Sequence, residues 1–189
     1  RAGGVGIHGA GHGERAVLVG VVRVGGELLL DGVLAGNDAP IHVGNFVELA
    51  QKGFYDGLKF HRYVPGFVIQ GGCPNTREAT PEQVAAGRAA GFAPFGTGNP
   101  GYSIKEEYTT NPNNKHEDGA LAMARSMDPN SAGSQFYLCL GPQHNLDSGY
   151  TVFGQTIEGK DVIGQLRAGD VIGPSRRGPR GSSCPASIP

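Results

Sequence analysis

Short runs of apolar residues, separated by glycine, proline and polar turns, recur along most of the chain. The runs 16–24 (AVLVGVVRV) and 27–33 (ELLLDGV) flank Gly25-Gly26 and predict two strands of a hairpin. The runs 58–64 (LKFHRYV) and 66–72 (GFVIQGG), split by the turn pair Pro65-Gly66, predict two more strands. Further strands are predicted for GALAMA at 119–124, SQFYLCLG at 134–141 and YTVFGQTI at 150–157.

One segment carries a helical pattern instead. Residues 37–53 offer Asn37 or Asp38 as an N-cap, Pro40 in the first turn and Gly53 just beyond the end. The apolar positions recur at helical spacing and predict one stripe that packs as core: Val43, Phe46, Val47 and Ala50.

Two shorter helices are also indicated. Thr80 to Gln83 match a capping box with proline at the first helical position, which predicts a surface helix over 81–90, with a loosely held insertion as the alternative. Residues 161–169 (DVIGQLRAG) predict one short closing helix. The segment 1–14 is predicted to be a flexible leader, 15–173 one domain with an insertion at 73–95, and 174–189 a disordered Pro/Gly/Arg/Ser tail.

Composition agrees with a turn-rich β protein of one domain. The chain has 189 residues, of which 33 are glycine and 13 are proline, and helix interiors exclude both of these residue types. A formal net charge of -1 gives no electrostatic reason to expect nucleic acid or an anionic membrane as a partner. No apolar run reaches the length of a membrane span, and a targeting peptide that was already removed stays possible.

The sequence contains few motifs of the common catalytic, metal-binding or nucleotide-binding kinds. Cys73, Cys139 and Cys184 never form a CxxC pair, and they are expected to be free thiols in a reducing compartment, cytoplasmic or organellar. The sequence lacks GxSxG, HExxH and a Walker loop. Glu106 and Glu107 are adjacent, so a strand would send them to opposite faces, and a solvated rim is the expectation for both.

Three longer strings, in this order, carry a resemblance: FHRYVPGFVIQGG at 60–72, MARSMDPNSAGSQFYL at 123–138 and LDSGYTVFG at 146–154. They resemble the cyclophilins, in particular the bacterial or organellar ones, and the resemblance covers about residues 17–172. It implies a mainly β fold, an eight-stranded antiparallel β-barrel that is closed and capped by two α-helices. It also implies peptidyl-prolyl cis-trans isomerase activity, which assists protein folding and uses no cofactor and no metal.

The resemblance assigns site residues one by one. Arg62 matches the catalytic arginine, and Gln70 is expected to orient it. The substrate-binding positions are Phe67, Val68, Ala124, Arg125, Ser126, Gln135, Tyr137, Leu146 and Tyr150. Strand alternation independently places Gln135 and Tyr137 on one face, whereas for Phe67 alternation alone favours the core, so its groove role rests on the resemblance.

Partners follow from the same resemblance. We expect proline-containing peptides and unfolded or flexible protein segments, bound by a monomer unless it docks in an assembly. Asn145 stands where many cyclophilins carry tryptophan, which predicts weakened binding of cyclosporin. Two alternatives stay open: a scaffold subunit with little activity, docked through the insertion and the tail with Arg176, Arg177 and Arg180, and a metal- or redox-responsive protein that uses His8, His12, Cys73 and Cys139.

Overall fold

The computed structural model describes residues 6–8, 16–20, 30–87 and 95–173. The strands in these ranges are β1 Gly6–His8, β2 Ala16–Gly20, β3 Leu30–Leu34, β4 Arg62–Val64, β5 Val68–Gly71, β6 Ala120–Met123, β7 Phe136–Cys139 and β8 Val152–Glu158. The α-helices are α1 Pro40–Gln51, α2 Pro81–Ala86 and α3 Lys160–Ile163. The predicted mainly β class with a few helices is confirmed.

The strands form one antiparallel sheet in the order β1-β2-β3-β8-β6-β7-β5-β4. The predicted hairpins are present, because β2 pairs with β3 and β4 pairs with β5. Within the described ranges no strand pairing joins the end strands β1 and β4. Closure of the sheet into a barrel therefore stays a prediction.

Backbone pairing extends beyond the expected strands at both ends of the domain. Gly6–His8, inside the segment predicted as a leader, forms β1 and pairs with β2. Near the other end, Lys59 and Val171 form an antiparallel bridge, and the amide of Ile172 donates to the carbonyl of Leu58. The segment around Val171 thus pairs with the chain that leads into β4. The predicted tail at 174–189 lies outside the described residues.

Helix α1 begins at Pro40, as predicted, but its cap does not come from Asn37 or Asp38. The N-cap residue is Ala39, which makes no side-chain cap. The carboxylate of Glu107 instead accepts hydrogen bonds from the amides of Ile41 and His42, both at 2.9 Å. A carboxylate at a helix N-terminus satisfies free N–H groups and interacts favourably with the helix dipole.

Glu107 is therefore buried, with 5% of its surface exposed, and the solvated rim expected for it is wrong. Its Oε2 also lies 2.7 Å from Nδ1 of His42. Burial lowers the pKa of His42, and the hydrogen bond to Glu107 opposes that shift. Glu106 beside it is half-buried, and so more accessible than Glu107, in agreement with the expectation that the two side chains point apart. The error arose because the partner of Glu107 is a helix that lies far away in sequence.

The apolar stripe of α1 packs against the sheet as predicted. Phe46 lies 5.4 Å from Phe136 on β7 and 5.2 Å from Phe153 on β8, measured between ring centroids. The main core is the set of buried residues around these rings: Leu34, Ala39, Val43, Phe46, Leu49, Ala50, Tyr55, Leu58, Phe60, Ile69, Met123, Ala132, Phe136, Leu138, Phe153, Val162, Ile163, Leu166 and Ile172. Each fully buried aromatic ring contributes about 2 to 3 kcal/mol of hydrophobic stabilisation.

The described part of the insertion is anchored to the domain. The predicted capping box of α2 is present, with Thr80 and Gln83 bonded reciprocally, and the helix is shorter than expected because it ends at Ala86. Val84 is buried, with 1% exposed. The ammonium group of Lys59 donates to the carbonyls of Thr76 and Arg77. The loosely held alternative therefore does not apply to residues 73–87, and 88–94 lie outside the described residues.

Candidate active site

Arg62 lies on the edge strand β4, opposite Gln70 on β5. Its side chain is exposed and, across the described ranges, forms no hydrogen bond or ion pair. The guanidinium carbon lies 5.7 Å from the ring centroid of Phe67, in the turn between β4 and β5. Gly66 in that turn has φ of +67°, a conformation that glycine adopts without strain and that brings the phenyl ring beside the strand. A free cationic donor thus lies next to an apolar ring.

A second apolar cluster lies next to Arg62, separate from the main core. We call it the groove cluster. Its buried members come from four strands, and its half-buried members come from the adjoining loops: Val68, Ala120, Ala122, Tyr137, Cys139 and Val152, with Phe67, Ala124, Leu146 and Tyr150 packed against them. Strand alternation explains the cluster, since Tyr137 and Cys139 on β7 belong to it whereas Phe136 and Leu138 belong to the main core.

Two glutamines link the strands beside this cluster. The side-chain amide of Gln70 donates to Oε1 of Gln135 at 3.0 Å. Gln135 in turn donates to the carbonyls of Gly96 and Gly98, at 3.0 and 2.7 Å. The side-chain donor of Gln70 therefore serves Gln135, and no hydrogen bond joins the side chains of Gln70 and Arg62 in the described part of the chain. The orienting role of Gln70 stays a prediction.

Next to the glutamines is an open cavity of about 380 Å³. Small and polar residues line it: Gln70, Gly96, Thr97, Gly98, Asn99, Ser103, Ala124, Arg125, Ser126, Ser131, Gly133, Ser134 and Gln135. Ala124 belongs to both the groove cluster and this cavity. The site therefore has an apolar part and an adjoining part that offers hydrogen-bonding groups. Such a surface can hold an extended peptide with an apolar ring in one part and backbone groups in the other.

Arg125 and Ser126, both predicted to contact substrate, lie at the rim of this cavity and are held there by hydrogen bonds. The Nε of Arg125 donates to the carbonyl of Gly149 at 2.7 Å, and its guanidinium carbon lies 4.6 Å from the Tyr150 ring centroid. The hydroxyl of Ser126 donates to that of Ser131 at 2.7 Å. The contacts of Arg125 connect the segment after β6 to the loop that carries Leu146 and Tyr150, whereas the bond of Ser126 lies within that segment.

A comparison with known protein families agrees with this site geometry. A family model described as cyclophilin type peptidyl-prolyl cis-trans isomerase/CLD matches residues 23–180. The chain belongs to the cyclophilin family of peptidyl-prolyl cis-trans isomerases. The resemblance seen in the sequence is thereby confirmed.

Curated relatives and a solved structure agree. A peptidyl-prolyl cis-trans isomerase of Synechococcus elongatus is 46% identical over 138 residues, which are 72% of this cyclophilin and 80% of the relative. Peptidyl-prolyl cis-trans isomerase B of Bacillus subtilis is 43% identical over 134 residues, 71% of this chain and 80% of that one. The crystal structure of a cyclophilin-type isomerase of Cryptosporidium parvum superposes with a TM-score of 0.59 at 25% identity, over 78% of this chain and 92% of that chain.

In this cyclophilin, Asn145 is exposed in the short 3-10 helix His144–Leu146, beside half-buried Leu146. An amide at this position offers no large ring to the groove. No helix among the described residues is both long and apolar enough to cross a membrane.

The described residues give no support to a metal or thiol site. They contain no group of three or more histidine, cysteine or carboxylate side chains placed to hold a metal ion. Burial raises the pKa of Cys139 to about 12, so this thiol stays protonated, and the buried Sγ of Cys73 accepts a hydrogen bond from the amide of Gly96. His12 and Cys184 lie outside the described residues, and of His8 the structure describes the backbone.

Two histidines near the site were missed at the level of sequence. His61, next to Arg62, has two buried ring nitrogens that find no hydrogen-bond partner among the described residues. Burial together with the charge of Arg62 lowers its pKa to about 4. His116 lies between Tyr137 and Asp147 and bonds to both side chains. No local pattern indicates His116, because its partners are 21 and 31 residues away.

Proposed function

We propose that Arg62 is the catalytic group with which this cyclophilin isomerises X-Pro bonds, and that the groove cluster receives the proline ring. Phe67, Val68, Tyr137 and Leu146 supply the apolar contacts. Gln135 is proposed to contact the substrate backbone, alongside Ala124, Arg125, Ser126 and Tyr150 on the rim. Gln70 positions Gln135 through their hydrogen bond.

The proposal follows from how an amide resists rotation. Delocalisation of the nitrogen lone pair into the carbonyl imposes a barrier of about 18 to 20 kcal/mol. At the top of the barrier the prolyl nitrogen is pyramidal and its lone pair is localised. A guanidinium N–H then bonds the nitrogen more strongly than in either planar state, which is selective stabilisation of the transition state. The reaction breaks no covalent bond and transfers no proton.

The observation that carries the proposal is the state of Arg62. Its guanidinium is exposed, lies next to Phe67 and the groove cluster, and has no ion-pair partner among the described residues. An arginine neutralised by a carboxylate would be a weaker donor to an uncharged nitrogen. The neighbouring polar cavity gives the flanking peptide a place to bind.

Replacement of Arg62 by alanine tests the proposal. We expect kcat/KM for a short Ala-Pro peptide to fall about 100-fold or more, because one transition-state donor is lost, with an unchanged free energy of unfolding. Arg167→Ala is the matched control, since Arg167 also lies over a ring, that of Tyr63, with 4.7 Å from guanidinium carbon to centroid. Full activity of Arg62→Ala would refute the assignment. Negligible turnover of the unaltered protein, together with purification with a fixed stoichiometric partner, would instead favour the scaffold alternative.

Further features of the domain are proposed on weaker structural support. We propose that the sheet closes into a barrel, supported by the eight-strand order and by the bridge between Lys59 and Val171. The domain is proposed to span 15–173, with β1 from the predicted leader 1–14 added to its sheet, and to be followed by the tail 174–189. We propose a monomer in a reducing compartment, cytoplasmic or organellar, with weak cyclosporin binding because Asn145 provides no ring.

A further inference from the structure

The hydroxyl of Tyr137 poses a problem that the site must solve. Tyr137 is 4% exposed, and its ring packs among the apolar residues of the groove cluster. A buried hydroxyl without a partner destabilises a protein, because it loses its hydrogen bonds to water and gains none in exchange. Here Nε2 of His116 lies 2.8 Å from the hydroxyl oxygen, and the two ring planes are inclined by 13°. His116 satisfies the hydroxyl from behind the groove.

The other side of His116 fixes its proton. Asp147 Oδ1 lies 2.9 Å from Nδ1 of His116 and also accepts the backbone amide of His116 at 2.7 Å. Although burial opposes the shift, hydrogen bonds from His116 lower the pKa of Asp147, so the carboxylate is an acceptor. Nδ1 therefore carries the hydrogen, and Nε2 accepts the hydrogen bond from Tyr137. The hydroxyl proton points to His116, and Tyr137 offers the groove its ring alone.

His116 also connects two walls of the groove. Asp147 directly follows Leu146, and the carbonyl of His116 accepts from the amide of Gln143 at 2.7 Å, just before the 3-10 helix His144–Leu146. Its side chain is completely buried, so a substrate in the groove does not touch it. Tyr137 forms the floor of the groove and Leu146 forms one wall. Residues of both parts are thus hydrogen-bonded to His116.

We propose that His116 is a positioning residue that sets the distance between the Tyr137 ring and the Leu146 wall, and thereby the size of ring that the isomerase accepts. This inference rests on the proposed site, because it takes the groove cluster as the proline pocket. The pocket is half-open where Leu146 and Tyr150 line it, so packing alone leaves this wall able to move. The hydrogen bonds of His116 add a constraint that reaches Tyr137, which the bonds of Arg125 and Asn114 to the same loop do not provide.

Two substitutions at His116 separate its two bonds. His116→Asn keeps a donor near Nδ1 for Asp147 and loses the acceptor for Tyr137, whereas His116→Gln places an amide oxygen near Nε2. We measure kcat/KM for matched peptides that contain proline, four-membered azetidine-2-carboxylic acid or six-membered pipecolic acid. We expect His116→Asn to lower the proline value about tenfold and to shift the ratios between ring sizes, and His116→Gln to recover most of the loss.

Tyr137→Phe completes the test, because it removes the hydroxyl and keeps the ring. It should shift the ring-size ratios in the same direction, and adding His116→Asn to it should have little further effect. Unchanged ratios of kcat/KM between the ring sizes in Tyr137→Phe would overturn the inference, even if no His116 variant folds. The inference would also fail if His116→Asn had its full effect in the Tyr137→Phe background, where the hydroxyl is absent. Loss of activity in Arg62→Ala together with unchanged ratios would leave the proposed catalytic group standing and remove His116 alone.

Discussion

The central strands have two apolar faces that differ in how they are covered. On β8, Phe153 faces the main core and is completely buried, whereas its neighbour Val152 belongs to the groove cluster. The main core is filled with aromatic rings and closed by α1. The groove cluster is built on two alanines, Ala120 and Ala122, and its outer residues are half-buried.

The difference separates stability from activity within a single sheet. Large side chains on the core face exclude water and stabilise the fold. On the opposite face the small side chains Ala120 and Ala122 are covered by residues that are themselves only half-buried. The same period-two alternation therefore supplies both faces, and the size of the alternate residues decides which face is open.

The largest stability effect should come from the closed face. Phe153→Ala is expected to lower the free energy of unfolding by about 4 kcal/mol, because it leaves a cavity between β8 and α1. Any remaining folded protein should keep its kcat/KM within a small factor, since the ring does not reach the groove. Urea unfolding and a peptide assay at low temperature measure the two quantities. A loss of activity as large as the loss of stability would show that the faces are not independent.

The next effect is the pH dependence of stability that His61, next to Arg62, is expected to cause. His61 has a folded-state pKa of about 4, below its ordinary value of 6.5, because burial and then Arg62 disfavour its charge. The unfolded chain therefore binds the proton more readily, so stability is full above about pH 6.5 and decreases as pH falls towards 4. We expect His61 to account for a loss on the order of 2 kcal/mol over this window.

Urea unfolding at pH 7 and at pH 4.5 measures this loss. His61→Gln should reduce it, because the glutamine side chain does not titrate in this window. His42 and His116, whose pKa values burial also lowers, keep a residual dependence in every variant. Equal pH dependence in His61→Gln and the unaltered protein would contradict the assignment.

The smallest stability effect is expected at the open face. Leu146→Ala should change the free energy of unfolding by less than about 1 kcal/mol, because the side chain is half-buried at the edge of the cluster. It should nevertheless lower kcat/KM for a proline peptide about tenfold, since one wall of the ring pocket is lost. Ile157→Ala, at an exposed position of β8, serves as the control. Wild-type turnover in Leu146→Ala would remove that wall from the pocket.

Local patterns predicted most of the elements. Pro40 and the apolar stripe gave α1, Thr80 and Gln83 gave the capping box of α2, and period-two alternation separated Tyr137 from Phe136. These features depend on residues within one turn or one strand. They are therefore readable without knowledge of the fold.

Contacts between distant segments could not be read in this way. The cap of α1 comes from Glu107, the amide of Gln70 bonds Gln135, and His116 bonds Tyr137. Each pair is brought together by the fold, and neither member has a local signature. The groove position of Phe67 likewise came from the resemblance, since alternation alone favoured the core.

The cap of α1 has a consequence for how the chain matures during synthesis. Ile41 and the carboxylate that receives its amide are 66 residues apart, so the ribosome has already released the whole helix long before Glu107 is made. A nascent chain, or any fragment that stops short of Glu107, has a first helical turn with bare amides. Completion of this helix thus waits for the second half of the domain.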